Sequence, residues 1–212
     1  MALNKLKFNS LNVTPAASKA IRFNSSANGL ETADAGGSLV FISRSTASSS
    51  SSVDITSGIS STYKEYIFIL NNMHPETNDK HFTFQVNANG ESGFNETITS
   101  TLFRAYHLEN GSASGLDYRT ANDQAQGTAY QRISEEVGNA ADEGVSGILH
   151  LFDPSNTTFV KHFIARTSLN YGSPRDTFTS GYVNTTTAID EISFAFTSGN
   201  VDSGTVDMYG VT

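Results

Sequence analysis

The stretch Asp190 to Val211, DEISFAFTSGNVDSGTVDMYGV, narrows the possible folds more than any other part of the chain. Ile192, Phe194 and Phe196 alternate with Ser193 and Ala195. That spacing puts three large apolar side chains on one face of a strand. Gly199-Asn200 and Ser203-Gly204 follow with turn chemistry, because Gly and Asn tolerate positive φ. A second strand, TVDMYGV, then places Val206 and Met208 on one face and Tyr209 and Val211 on the other. The expectation is a closing hairpin that completes a sheet.

The same grammar recurs upstream. Short runs at 38–43, 53–56, 63–70, 81–86, 97–108, 145–152, 159–169 and 178–183 carry the alternation of strands, with turn residues between them. Tyr63 to Leu70 has apolar residues on both faces, so both faces are expected to be covered. Residues 145–169 read as a hairpin with His150 opposite His162. About ten strands at this spacing predict an all-β, antiparallel β-sandwich of the jelly-roll-like kind over residues 38–212. Residues 109–143 hold only Tyr118, Tyr130 and Ile133 as sizeable anchors and read as a long loop. Within it, Ser134-Glu135-Glu136 has the composition of a short helical turn.

Residues 1–37 read as an extended arm. Their apolar positions are scattered, with strand hints only at Leu6 and Phe8 and at Ile21 and Phe23. The first thirty residues carry Lys5, Lys7, Lys19 and Arg22 and no acid, a charge of +4, while the other 182 residues carry −12. A basic arm with apolar anchors and no core of its own suits docking onto an acidic partner. The docking set is Lys5, Lys7, Phe8, Lys19, Ile21, Arg22 and Phe23.

Composition excludes several classes of function. There is no cysteine, hence no disulfide framework and no cysteine-based zinc site. The net charge of −8 argues against a general nucleic-acid binder. No apolar run is long enough to span a membrane as a helix, and MALNKLKFNS lacks the apolar segment of a secretion signal. No HExxH, GxSxG or phosphate-binding glycine loop occurs. The adjacent acids Glu135-Glu136 and Asp142-Glu143 do not make the spaced carboxylate pair of a glycan-cleaving enzyme. The reading is a non-enzyme without cofactor or metal. Tyr118, Arg119, Tyr130, Arg132, Tyr171 and Arg175 fall in expected loops and are the candidate recognition residues, since Tyr and Arg dominate binding hot spots.

The pattern SGN-x-x-SGT-x-x-x-YG at 198–210 resembles the end of a β-sandwich domain of virion structural and tail-fibre proteins of tailed bacteriophages, marine ones especially. Tyr63 to Leu70 followed by Asn72-Met73-His74-Pro75, an N-x-x-P turn in that group, and then His81 to Val86 extend the likeness over about residues 60–212. The resemblance implies a non-enzymatic particle protein of tail-fibre or receptor-binding type, assembled in the host cytoplasm. Together with the low charge density of the body it points to a homotrimer, whose basic arm would meet other virion proteins and whose loops would meet a host-surface glycan or protein. Capsid decoration, and a small particle-borne glycan depolymerase, are the two competing readings.

Overall fold

The computed structural model describes Val13, residues 19–34 and residues 38–212. The chain divides into two units, Met1–Ser38 and Leu39–Thr212. In the first unit, β1 (Lys19–Phe23) and β2 (Leu30–Asp34) form an antiparallel hairpin with Phe23 opposite Leu30 and Ile21 opposite Thr32. The strand hint at Ile21 and Phe23 thus becomes one arm of a hairpin that turns back on itself. Arg22 pairs with Glu31 at 3.0 Å, while Ile21 and Phe23 are 39 % and 71 % exposed. Lys5, Lys7 and Phe8 lie outside the described residues.

The second unit is all β among its described residues. Its strands are β3 (Leu39–Ser50), β4 (Val53–Ile55), β5 (Glu65–Pro75), β6 (Lys80–Ala88), β7 (Ile98–His107), β8 (Ser114–Tyr118), β9 (Gln131–Val137), β10 (Gly144–Phe152), β11 (Lys161–Asn170), β12 (Pro174–Val183), β13 (Ile189–Phe196) and β14 (Val201–Val211). They make an eight-stranded sheet in the order β3-β14-β5-β10-β11-β12-β7-β8 and a four-stranded sheet in the order β4-β13-β6-β9. Every pairing is antiparallel, and the two sheets stack as a sandwich.

The strand order has a regular core. Set aside β7, β8, β11 and β12 and number the remaining eight strands in chain order. The sheets then read 1-8-3-6 and 2-7-4-5. Each short connection β3–β4, β5–β6, β9–β10 and β13–β14 carries the chain from one sheet to the other at one end of the sandwich. The four remaining strands widen only the larger sheet.

The expected closing hairpin is therefore corrected. β13 and β14 are successive strands of opposite sheets, and they do not pair. Each is already flanked, β13 by β4 and β6 and β14 by β3 and β5, so neither has an edge left for the other. Their large side chains meet face to face instead. Ile192 and Phe194 on β13, and Val206 and Met208 on β14, are all fully buried in one core. Phe194 lies against Phe68 of β5 at 5.8 Å and stacks with Phe82 of β6 at 6.0 Å, and Phe84 meets Phe163 of β11 edge-on at 4.9 Å.

The expected N-x-x-P turn is also corrected. Asn72 to Pro75 continue β5 through a bulge: Asn72 has φ 47°, and β14 pairs Thr205 with Asn71 but Ser203 with His74. Gly204 lies opposite that bulge at φ 123°, where an added Cβ would stand 2.8 Å from the Asn72 carbonyl oxygen and the Met73 Cα. Only glycine fits that backbone and that approach. Truncating Phe194 to Ala should cost roughly 3–5 kcal/mol, the range for a fully buried aromatic, measured by urea unfolding. A loss under about 1 kcal/mol would mean that the ring is peripheral to the core.

Candidate functional site

Residues 109–143 are not one long loop. β8 and β9 lie within them, and Ser134-Glu135-Glu136 is part of strand β9, not a helical turn. Glu135 is fully buried and accepts from Arg104 Nη1 at 2.5 Å, Arg119 Nε at 3.1 Å and Asn122 Nδ2 at 2.5 Å. Such a carboxylate is tolerated inside a protein only because several donors replace its water. Nearby Gln131, also fully buried, accepts from Ser100 and donates to the Asn122 carbonyl. β9 is thus fastened to the β7 side of the larger sheet by polar groups.

Internal contacts engage all six of the residues that the sequence offers for recognition. Arg119 serves Glu135, and Arg132, on β9, donates to Asn122 Oδ1 at 2.6 Å and to the Ala121 carbonyl. Arg175 is the second residue of β12, bonds Glu136 at 3.0 Å and lies 5.5 Å from the Tyr171 ring centre. Tyr171 accepts from Asn78, and Tyr130 donates to Ser193 at 3.0 Å. Tyr118 ends β8, bonds Asp123 and is 54 % exposed. Tyr118, Arg132 and Arg175 therefore belong to strands, and the three arginines are occupied inside the protein. The six do not converge: Tyr118, Arg119 and Arg132 border the Glu135 network, Tyr130 faces β13, and Tyr171 and Arg175 meet at Glu136.

The proposed pairing of His150 and His162 is corrected as well. The β10–β11 register places His150 opposite Ile164, two residues away, because Phe159 and Val160 belong to the connecting loop. His150 bonds Glu65, whereas His162 packs edge-on near Tyr182 at 6.2 Å. Among the described residues no three His, Asp or Glu side chains converge on a metal position.

Surface hollows lie at both ends of β10 and β11. A polar cleft of about 640 Å³ lies where β10 begins and β11 ends, beside His74, Asp142, Glu143 and Asn170. A more apolar groove of about 510 Å³ lies at the other end of the same strands, walled by Phe152, Asp153, Thr158, Phe159, His162 and Thr186. A shallower hollow continues it past His162 to Ile164 and Tyr182.

The groove is built with unusual effort. The Phe159 ring is 68 % exposed, yet its backbone is held on both sides. Its N–H donates to Asn156 Oδ1 at 2.8 Å, and its carbonyl accepts from Lys161 Nζ at 3.2 Å. Lys161 is fully buried beneath the groove, and its ammonium also donates to the Thr185 carbonyl at 3.1 Å, joining the two loops that form the walls. Burial lowers its pKa, and Asp153 and Glu96 act in the opposite sense. Asn156 in turn donates to Asp153 at 2.8 Å, and Lys64 donates to the other oxygen of Asp153 at 2.9 Å. The Lys64 and Asn156 hydrogen bonds hold the Asp153 carboxyl below its ordinary range. By contrast, the side chains of Thr158, His162 and Thr186 make no hydrogen bond to any described residue. Sequence reading missed this groove, since Phe159 and Lys161 fell within an expected strand over 159–169 and carried no other signal.

No protein-family model, curated protein or solved structure matches this chain.

Acid should loosen the body through His81. It is buried, and its ring contacts the Ser134 carbonyl at 3.0 Å and Glu136 at 3.6 Å. Burial lowers the imidazole pKa below the ordinary 6.5, aided by Arg132 and opposed by the Ser134 carbonyl, Glu136 and Glu135. Between that lowered value and about 6.5 the unfolded chain holds a proton that the folded chain refuses, so stability falls as pH drops through this window. The urea midpoint should be lower at about pH 5.5 than at about pH 7.5, and His81→Gln should reduce the difference. Equal midpoints in the native chain would refute this assignment.

Proposed function

We propose that this chain is a non-enzymatic structural protein of the surface of a tailed-phage particle, of tail-fibre or receptor-binding type, built on a jelly roll. The observation that carries the reading is the strand order 1-8-3-6 over 2-7-4-5. That order is generated when a long hairpin of paired strands wraps into two facing sheets. Jelly rolls of this kind recur in viral capsid and lectin domains. Fold alone does not assign function. The likeness at 198–210 to phage virion β-sandwich domains selects among those uses, and its glycines fit the structural roles found here. Gly204 answers the β5 bulge, and Gly210 leaves room for the Tyr63 ring, which would stand 2.2 Å from an added Cβ.

Assembly is part of the proposal. β3 is a twelve-residue edge strand, and its Leu39, Val40 and Phe41 are 47 %, 36 % and 54 % exposed. A long edge with apolar residues invites pairing with another chain unless symmetry closes it off. The reading is a homotrimer, with the basic N-terminal segment meeting other virion proteins. Light scattering of the purified protein at micromolar concentration should give three times the chain mass, and a monomer would overturn the trimer.

Labelling intact particles with an antibody to the body and imaging them by electron microscopy tests the function itself. Label on tail fibres is the expected result. Label confined to the head would replace the fibre reading with capsid decoration, and particles without the protein would overturn the virion reading.

A further inference from the structure

We infer that the groove around Phe159 binds a neutral pyranose unit of a glycan. The inference rests on the proposed surface role and gives it a ligand class.

The argument starts from the exposed ring. An aromatic side chain left 68 % open contributes little to the core, yet its peptide group is fixed at both its N–H and its carbonyl. Rigid presentation of an aromatic group lowers the entropy lost on binding. The C–H face of a pyranose is flat and apolar and fits such a ring. Its hydroxyls point outward around the rim and require donors and acceptors there. The groove supplies such groups on its walls. Thr158, His162 and Thr186 line it with side chains not bonded within the described chain, and Asp153 offers a carboxylate whose position Lys64 and Asn156 fix.

Size and charge narrow the ligand. A hollow of about 510 Å³ is at the small end of ligand pockets and suits one or two sugar rings. The Asp153 carboxylate on its wall is paired with the Lys64 ammonium at 2.9 Å, and Lys161 is buried and engaged with two carbonyls. The wall thus offers no unpaired charge to hold an anionic or a cationic sugar, and the ligand is neutral. A peptide side chain would use the ring but would leave the spread of hydroxyl and imidazole groups unmatched.

Saturation-transfer NMR on the full chain tests this with lactose, maltose, cellobiose and N,N′-diacetylchitobiose as probes. Transfer to the ring protons of at least one of them is expected, with a dissociation constant on the order of 1 mM. Phe159→Ala should abolish it and His162→Ala should weaken it severalfold, while Phe41→Ala, which removes an exposed aromatic elsewhere, should leave it intact. Circular dichroism of each variant confirms that the fold is kept. Absence of transfer to every probe, or transfer that survives Phe159→Ala, overturns the inference. Absent transfer combined with reduced particle adsorption by Phe159→Ala assigns the groove to a protein receptor and overturns the glycan. Particle imaging is scored separately: a labelled particle with no saccharide binding leaves the surface role standing without its ligand, and saccharide binding by a protein absent from particles does the reverse.

Discussion

The body depends on aromatic packing across the space between two sheets. Phe68 of the larger sheet meets Phe194 of the smaller, Phe194 stacks on Phe82, Phe82 meets Phe196 at 5.0 Å, and Phe163 of the larger sheet meets Phe84. Full burial of each such ring contributes on the order of 1.5–3 kcal/mol before entropy is counted. The rings can meet only if successive strands sit in opposite sheets. Crossing at each of four short connections is what delivers β5 and β6, or β13 and β14, to the two sides of one core. A simple meander would have put both members of each pair in one sheet and left one face of that sheet without a partner.

That distinction explains what was legible in the sequence. Alternation identifies strands because it reports which side of a strand is buried, and it found the cores of β5, β6, β10, β11, β12, β13 and β14. Alternation is silent about which strand lies alongside. Ile192, Phe194 and Phe196 have the same pattern whether TVDMYGV pairs at the edge or faces them across the core. β9 escaped for a different reason. Its inward positions include Gln131 and Glu135, both fully buried, and polar inward residues look like a loop when read alone. Their burial is made possible by Arg104, Arg119, Asn122 and Ser100, which the sequence places well before them.

The polar layer has its own logic. β7, β8, β11 and β12 extend the larger sheet beyond the span of the smaller one, so part of their inner surface has only β9 to cover it. There Thr167 donates to the Ile133 carbonyl at 2.5 Å, and Arg104 and Arg175 reach Glu135 and Glu136. Hydrogen bonds are directional where apolar contact is not, so they set the register of one strand against a sheet that could otherwise slide beneath it. The loss of water around Glu135 makes the arrangement costly if any one donor is removed. The arginines that sequence reading assigned to an external partner are therefore committed to this internal task.

The groove at Phe159 shows the opposite economy. An apolar residue in place of Lys161 would bury more readily, since the ammonium loses its water and recovers only two carbonyl partners. If closing the loop end were the only requirement, a buried cation there would be a poor solution. What it provides is a tie between the carbonyls of Phe159 and Thr185, residues of two separate connections, which no hydrocarbon side chain could hold at fixed distance. Asn156 completes the clamp from the other side of Phe159. The stabilising groups lie beneath and beside the ring, while the ring and His162 remain open at the surface. Core packing draws Phe163, four residues on, fully inward, whereas at Phe159 it is the peptide group that Lys161 and Asn156 fix, and the ring stays at the surface.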